Sequence, residues 1–148
     1  MTKTESKELK VIVFQLQEKD YGIFVQEVKS IEKVSHITRV PGTPKFIKGV
    51  INLRGVVTPI IDLRTRLQIP EADTNEQTRI IISCKDEIDV GLVVDAAHDV
   101  IDITEDQIEP APEVVGGVES KFIKGVTKVG KRIIMLLDLE HVLQGYGK

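Results

Sequence analysis

The chain has 148 residues, a formal net charge of −3, 29% charged and 4% aromatic residues, one cysteine and no tryptophan. That length suffices for about one domain with a sizeable core. The interspersed charges and the slight negative balance argue against a nucleic-acid or anionic-lipid surface as the main partner, and the lone Cys84 excludes an internal disulfide framework and fits a reducing compartment.

In chain order, residues 1–8 read as a flexible tail whose polar start, MTKTESKELK, lacks the apolar segment of a signal peptide. KVIVFQLQ then alternates, with Ile12, Phe14 and Leu16 on one face, which predicts a half-buried strand. YGIFV, KSIEKV, GVINL, VVTPII, RIIISCK, DVGLVV, AHDVIDI, FIKGVTKV and RIIMLL follow as further short strands rich in Val and Ile. Many short strands separated by charged or Gly-containing turns predict an all-β sandwich or small barrels. Thr43 and Pro44 form a helix-start signal, and Asp62 and Asp138 each precede a short helical run that their carboxylates can cap. Gly55 and Gly130 fall at the turns of two matching hairpins, and Ile108 to Ser120, with Pro110, Pro112, Gly116 and Gly117, reads as an irregular connection. The longest apolar runs, such as 133–137, are too short to cross a bilayer, so a cytoplasmic protein without membrane insertion is expected.

The word FIKGV occurs at 46–50 and again at 122–126. Continuing from each copy, residues 46–67 align without a gap on 122–143, with 8 of 22 positions identical. Upstream, YGIFVQEVKSI at 21–31 resembles VGLVVDAAHDV at 90–100, at an offset of 69 where the later segment has 76. The chain is therefore a diverged duplication, read as two related subdomains at roughly 10–75 and 76–143, too long in period for a solenoid. In each copy Phe and Ile are expected to anchor a turn in the core, Gly to let the chain bend, and Val to begin the next strand.

Chemistry-bearing residues are few. His36, His98 and His141 lie at no metal-ligand spacing, and Cys84 sits in the apolar run IIISC, where a small core residue is expected. No GxGxxG, P-loop, GxSxG or HExxH occurs, so neither an enzyme nor a cofactor or metal is expected. Phe14, Phe24, Phe46 and Phe122 occur in core-like patterns, which removes the exposed aromatics that single-stranded nucleic acid would require. Arg54 in NLRG stands apart: its repeat partner is Gly130, so the fold alone does not demand it. A structural ion pair, simple exposure and recognition of a partner by its planar fork all remain open readings. Val28, Ile31 and Val34 read as core, although a seam between halves would leave an apolar groove at its rim.

YGIFVQEVKSIEKV, TRVPGTPKFIKGVINLRGVVTPIIDLR, VGLVVDAAHDVIDI and IEPAP together resemble the CheW family of bacterial chemotaxis coupling proteins, over about Lys10 to Leu143. CheW-like domains also form the regulatory domain of the kinase CheA and the front half of CheV. With little sequence outside the matching span, a free-standing CheW is expected over either of those, and over a small-ligand-binding barrel. The resemblance implies two packed five-stranded SH3-like barrels with short helices, the first strand crossing into the other barrel. It implies a non-catalytic adaptor that couples the cytoplasmic tips of methyl-accepting chemoreceptors to CheA and is recruited to membrane receptor arrays. A receptor groove between the barrels would then use Val28, Ile31 and Arg54, with Val94 and Asp95 from the second half, in a helix-in-groove mode. The loop of Ser35, His36, Ile37 and Arg39 is the candidate contact for the CheA regulatory domain.

Overall fold

The computed structural model describes residues 7–112, 114–115 and 118–144. In chain order the elements are β1 (Glu8–Leu16), β2 (Lys19–Phe24), β3 (Val28–Lys33), β4 (Ile47–Leu53), β5 (Val56–Asp62), α1 (Leu63–Arg66), β6 (Arg79–Lys85), β7 (Ile88–Val94) and β8 (Ala96–Thr104). Then come β9 (Ile108–Glu109), β10 (Val114–Val115), β11 (Val118–Glu119), β12 (Ile123–Val129), β13 (Arg132–Leu137) and α2 (Leu139–Val142). One sheet has the order β3-β6-β7-β5-β4 and the other β8-β1-β2-β13-β12-β9, with β10 and β11 forming a separate pair. Parallel pairing joins β5 to β7 and, equivalently, β13 to β2; the other pairs are antiparallel.

These orders superimpose when β6, β7, β3, β5 and β4 are matched with β1, β2, β8, β13 and β12. In sequence, however, β1 to β5 form one copy of the repeat, and β6 to β8 with β12 and β13 form the other. Each sheet thus combines the first hairpin of one repeat with the remaining strands of its sister. The expected division into 10–75 and 76–143 does not follow the sheets: β6 and β7 belong with β3 to β5, and β1 and β2 with the later strands. A whole hairpin is exchanged in each direction, where a single crossing strand was expected.

Closure follows one plan in both sheets. After β3, Thr38 exchanges two 2.8 Å backbone hydrogen bonds with Val50 of β4. After β8, a 3-10 turn at Glu105–Gln107 leads into β9, which pairs with Val126 and Thr127 of β12. The result is two small SH3-like barrels. Where the closing segment crosses, each FIKGV copy supplies its glycine: a Cβ on Gly49 would stand 2.2 Å from the Thr38 carbonyl oxygen, and one on Gly125 2.5 Å from an Ile108 methyl carbon. Glycine is needed there for close approach. The bend expected of it is also present as a register shift beside each glycine, but the strands begin at Ile47 and Ile123, and Val lies inside them.

Each barrel encloses a small apolar cluster, Ile51, Ile60, Ile80 and Ile82 in the first and Val11, Val13, Ile103, Ile134 and Leu136 in the second. The largest cluster lies between them and draws on both sheets, including Phe14, Leu16, Tyr21, Ile61, Leu92, Phe122 and Leu137. Strand β1 is therefore buried on both faces, Val11 and Val13 inside its barrel and Ile12, Phe14 and Leu16 in the shared core. Its expected half-burial underestimates the number of layers packed around it. Halves of this size are marginal alone, and the shared core supplies burial that neither has by itself.

Asp62 accepts the Thr65 N–H at 3.4 Å and Asp138 the His141 N–H at 3.1 Å, capping two four-residue helices. Residues 44–47 form a turn closed by Ile47 N–H to Pro44 O at 2.9 Å, with no helix. Cys84 is exposed, not buried: it continues the inward side of Ile80 and Ile82 but pairs with Asp89 at the open end of the barrel. Glu8 is already paired with Thr104, so the tail does not extend through residue 8, while residues 1–6 fall outside the described residues. The connection after β8 contains β9 to β11; Gly116 and Gly117 lie outside the described residues.

Candidate functional site

Strand β3 carries two kinds of surface. Its pairing with β6 puts Val28 opposite Ser83 and Ile31 opposite Ile81, on the side of the shared core, while Ser30 and Glu32 lie opposite Ile82 and Ile80, on the barrel's inner side. Val28 packs against the shared core, and Ile31, 41% exposed, emerges at its margin.

Arg54 occupies the two-residue turn between β4 and β5. Its φ of 52° and that of Gly55, 87°, are both left-handed, and Asn52 Oδ1 accepts the Gly55 N–H at 2.9 Å. This turn type matches the twist of a hairpin, yet a left-handed conformation costs a non-glycine residue about 1–2 kcal/mol. The guanidinium reaches Glu32 Oε2 at 3.2 Å, across the mouth of the first barrel. Nearby Lys29 contacts both carboxylate oxygens of Asp89, at 3.0 and 3.2 Å. Arg54, Lys29 and Asp89 line a groove of about 220 Å³ together with Leu53, Val56 and Ile82. A hydrogen bond from Ser30, then the bond and charge of Arg54, hold the Glu32 carboxyl below its ordinary pKa. Arg54 is thus joined to β3, but at the barrel mouth and through Glu32, the neighbour of Ile31.

Val94 and Asp95 stand elsewhere. Val94 is fully buried in the shared core, so it is not available to a docking partner; a strand covered on both faces hides its apolar residues regardless of period. Asp95 receives Arg64 Nε at 2.9 Å and Nη2 at 2.5 Å, together with the Gln17 N–H at 2.8 Å. Burial pushes its carboxyl pKa up, but the hydrogen bonds from Arg64 and Gln17 and the Arg64 charge outweigh this and hold it low. Asp95 thereby ties α1 of the first sheet to the β1–β2 turn of the second. It lines a polar cleft separate from the groove at Arg54.

The 34–40 segment lies along β4, pinned by Thr38. Ser35, His36 and Ile37 line a cleft of about 760 Å³ with Lys48 and residues 71–74. Ile37 also packs on the first barrel's interior cluster, and Arg39 is exposed outside that cleft. Among the described residues no three metal-ligating side chains converge.

Sequence reading passed over Arg66. It leaves α1, donates Nε to Val142 O at 2.7 Å and Nη2 to His141 O and Gln144 O at 3.0 Å each, and so serves the end of α2. Its guanidinium carbon stands 4.6 Å from the Phe46 ring centroid and 5.0 Å from that of Phe122, the two phenylalanines of the duplicated word. Burial lowers its pKa. The available signal is the repeat itself, which aligns Arg66 with the apolar Val142.

A family model described as CheW-like domain matches residues 10–146. The chain is 49% identical over 134 residues to the chemotaxis protein CheW of Bacillus subtilis, covering 90% of this chain and 86% of that protein. It is 39% identical over 132 residues to CheW of Klebsiella aerogenes, covering 89% and 80%. The crystal structure of the scaffolding protein TtCheW from Thermoanaerobacter tengcongensis matches with a TM-score of 0.89 at 38% identity, over 96% of this chain and 97% of that one.

Proposed function

The chain belongs to the CheW-like family, and on that premise we propose that it is a non-catalytic chemotaxis adaptor coupling methyl-accepting chemoreceptors to the histidine kinase CheA. The observation that carries this reading is similarity to CheW proteins over most of both chains, a scaffolding protein among them. The molecule's surfaces support it: two barrels joined by a common core offer separate faces for two partners.

The receptor tip, an apolar helical hairpin, docks on the face bearing Val28, Ile31 and Arg54. Ile31 supplies apolar contact, Val28 lies beneath it, and Arg54 fixes orientation. Val94 and Asp95 are removed from this face by burial and by the Arg64 pair. The regulatory domain of CheA, itself of this fold, docks near Ser35, His36, Ile37 and Arg39. The protein works in the cytoplasm and reaches the membrane through the receptor; no helix among its described residues is long and apolar enough to cross one. It uses no cofactor and no nucleic acid.

The test is a calorimetric titration of the purified chain against a receptor-tip fragment and, separately, against the CheA regulatory domain, repeated with Arg54→Ala. Saturable binding of both, with the substitution weakening only the receptor contact, is expected. Since Arg54 is 68% exposed and its ion pair is a surface pair of small weight, the variant stays folded. Binding to neither partner overturns the proposal.

A further inference from the structure

The two ion pairs at the first barrel's mouth are layered in one sense. Arg54 and Lys29 have side chains 68% and 55% exposed, whereas their partners Glu32 and Asp89 are 25% and 24% exposed. An approaching molecule therefore meets cations first. Glu32 engages one guanidinium nitrogen, at 3.2 Å, while an arginine offers five donors in a planar fork.

The corresponding mouth of the second barrel is built differently. There Arg132 lies between two carboxylates, 3.2 Å from Asp20 and 3.7 Å from Asp99. The turn that matches Arg54–Gly55 is Gly130–Lys131, and its left-handed position is held by glycine at φ 62°. The first barrel accepts a left-handed arginine where the sister repeat uses glycine. The hairpin turns at Gln17–Glu18 and Asp86–Glu87 hold non-glycine residues in the same conformation, so it is the placement of a cation at this mouth, and not the backbone, that sets Arg54 apart.

We propose that the mouth of the first barrel reads a carboxylate on the docking partner: an Asp or Glu beside the apolar stripe of the receptor helix, bound by the outward donors of Arg54. Glu32, whose Oε2 accepts from Arg54 Nη2 at 3.2 Å, is a positioning residue that grips the inner side of the guanidinium. Lys29 adds to the positive rim, and the exposed Val56, which lines the same groove with Leu53, offers apolar surface beside it. This proposal rests on the receptor-adaptor reading and names the chemistry that selects the partner.

The test is a double-mutant cycle. Each Asp and Glu of the receptor-tip fragment is changed in turn to Asn or Gln and titrated against wild type, Arg54→Gln and Glu32→Gln at two ionic strengths. One carboxylate is expected to lose about tenfold in affinity against wild type and little against Arg54→Gln, with a shallower salt dependence in that variant. Glu32→Gln is expected to weaken binding and to shrink the coupling without abolishing it. Binding that depends on Arg54 but couples to no carboxylate, with an unchanged salt slope, overturns this inference and leaves the adaptor reading standing. No binding by the wild-type chain overturns both.

Discussion

Replacing Arg66 by methionine should loosen the two barrels more than any exposed ion pair could. Methionine keeps an apolar stem against Phe46 and Phe122 but removes the donor to the carbonyls of Val142 and Gln144 and one of those to His141 O, which keeps the Gln144 N–H at 3.2 Å. A hydrogen bond from a charged donor contributes roughly 1.5–3 kcal/mol, and a cation over a ring at 4.6 or 5.0 Å about 0.5–1 kcal/mol. The half-buried site lets water replace part of this, and the terms share one side chain, so they do not add. A net loss of about 3 kcal/mol is expected, equivalent to roughly 6–12 °C in Tm at this chain length. Arg66→Lys, which keeps the charge and loses the fork, should lose about half as much. Urea unfolding followed by far-UV circular dichroism measures it, with an unchanged slope showing that the unfolded state is the same. A loss below about 1 kcal/mol for the methionine variant would refute Arg66 as the tie between α1 and α2.

Gly49→Ala should destabilise more than Gly125→Ala in the same assay, because at Gly49 the new Cβ meets the Thr38 carbonyl at 2.2 Å and the φ of 151° resists a side chain, whereas at Gly125 the backbone contact, Glu109 O, lies at 3.2 Å and the closer one is an Ile108 methyl; about 1–3 kcal/mol is expected for the milder case. The stability difference between wild type and Asp95→Asn should be level above about pH 5 and shrink below about pH 4, since a depressed carboxylate pKa contributes stability above the unfolded value and loses it as pH falls through the folded one; a difference that grows with acid contradicts this. Tyr21→Phe should be neutral or stabilising by about 1 kcal/mol, because the buried hydroxyl has no hydrogen-bond partner among the described residues. The hydroxyl's pKa, pushed to about 12 by burial, predicts that wild-type stability falls as pH rises from about 10, and that Tyr21→Phe lacks this contribution.

The local features were legible because they are local. Strand periodicity, the Asp62 and Asp138 caps and the duplicated word FIKGV each depend on residues close in sequence. The offset change from 69 to 76 also has a place: it falls between β8 and β12, where the connection carries β9 to β11 and its counterpart after β3 does not. What pairs with what was not legible. The alternation in β1 gives no sign that a second barrel covers its outer face, and the same lack of a tertiary partner made Val94 look available and Cys84 look buried. Arg54 was marked by its mismatch with Gly130, and the structure adds the left-handed turn and Glu32. Arg66 had an equal mismatch with Val142; a positive charge facing a buried apolar repeat position is the sign of a contact that crosses the pseudosymmetry.

The exchanged hairpins give the molecule the form of a strand-swapped homodimer written as one polypeptide. A single ancestral repeat could complete its barrel only by borrowing β1 and β2 from a second copy, and residues 67–78 now supply that second copy at fixed effective concentration. Cleavage in that connection would leave two fragments, each holding strands of both barrels and each unable to close either one alone. The chain is therefore divisible by ancestry but not by folding, and its high share of long-range pairings places it among the slow folders.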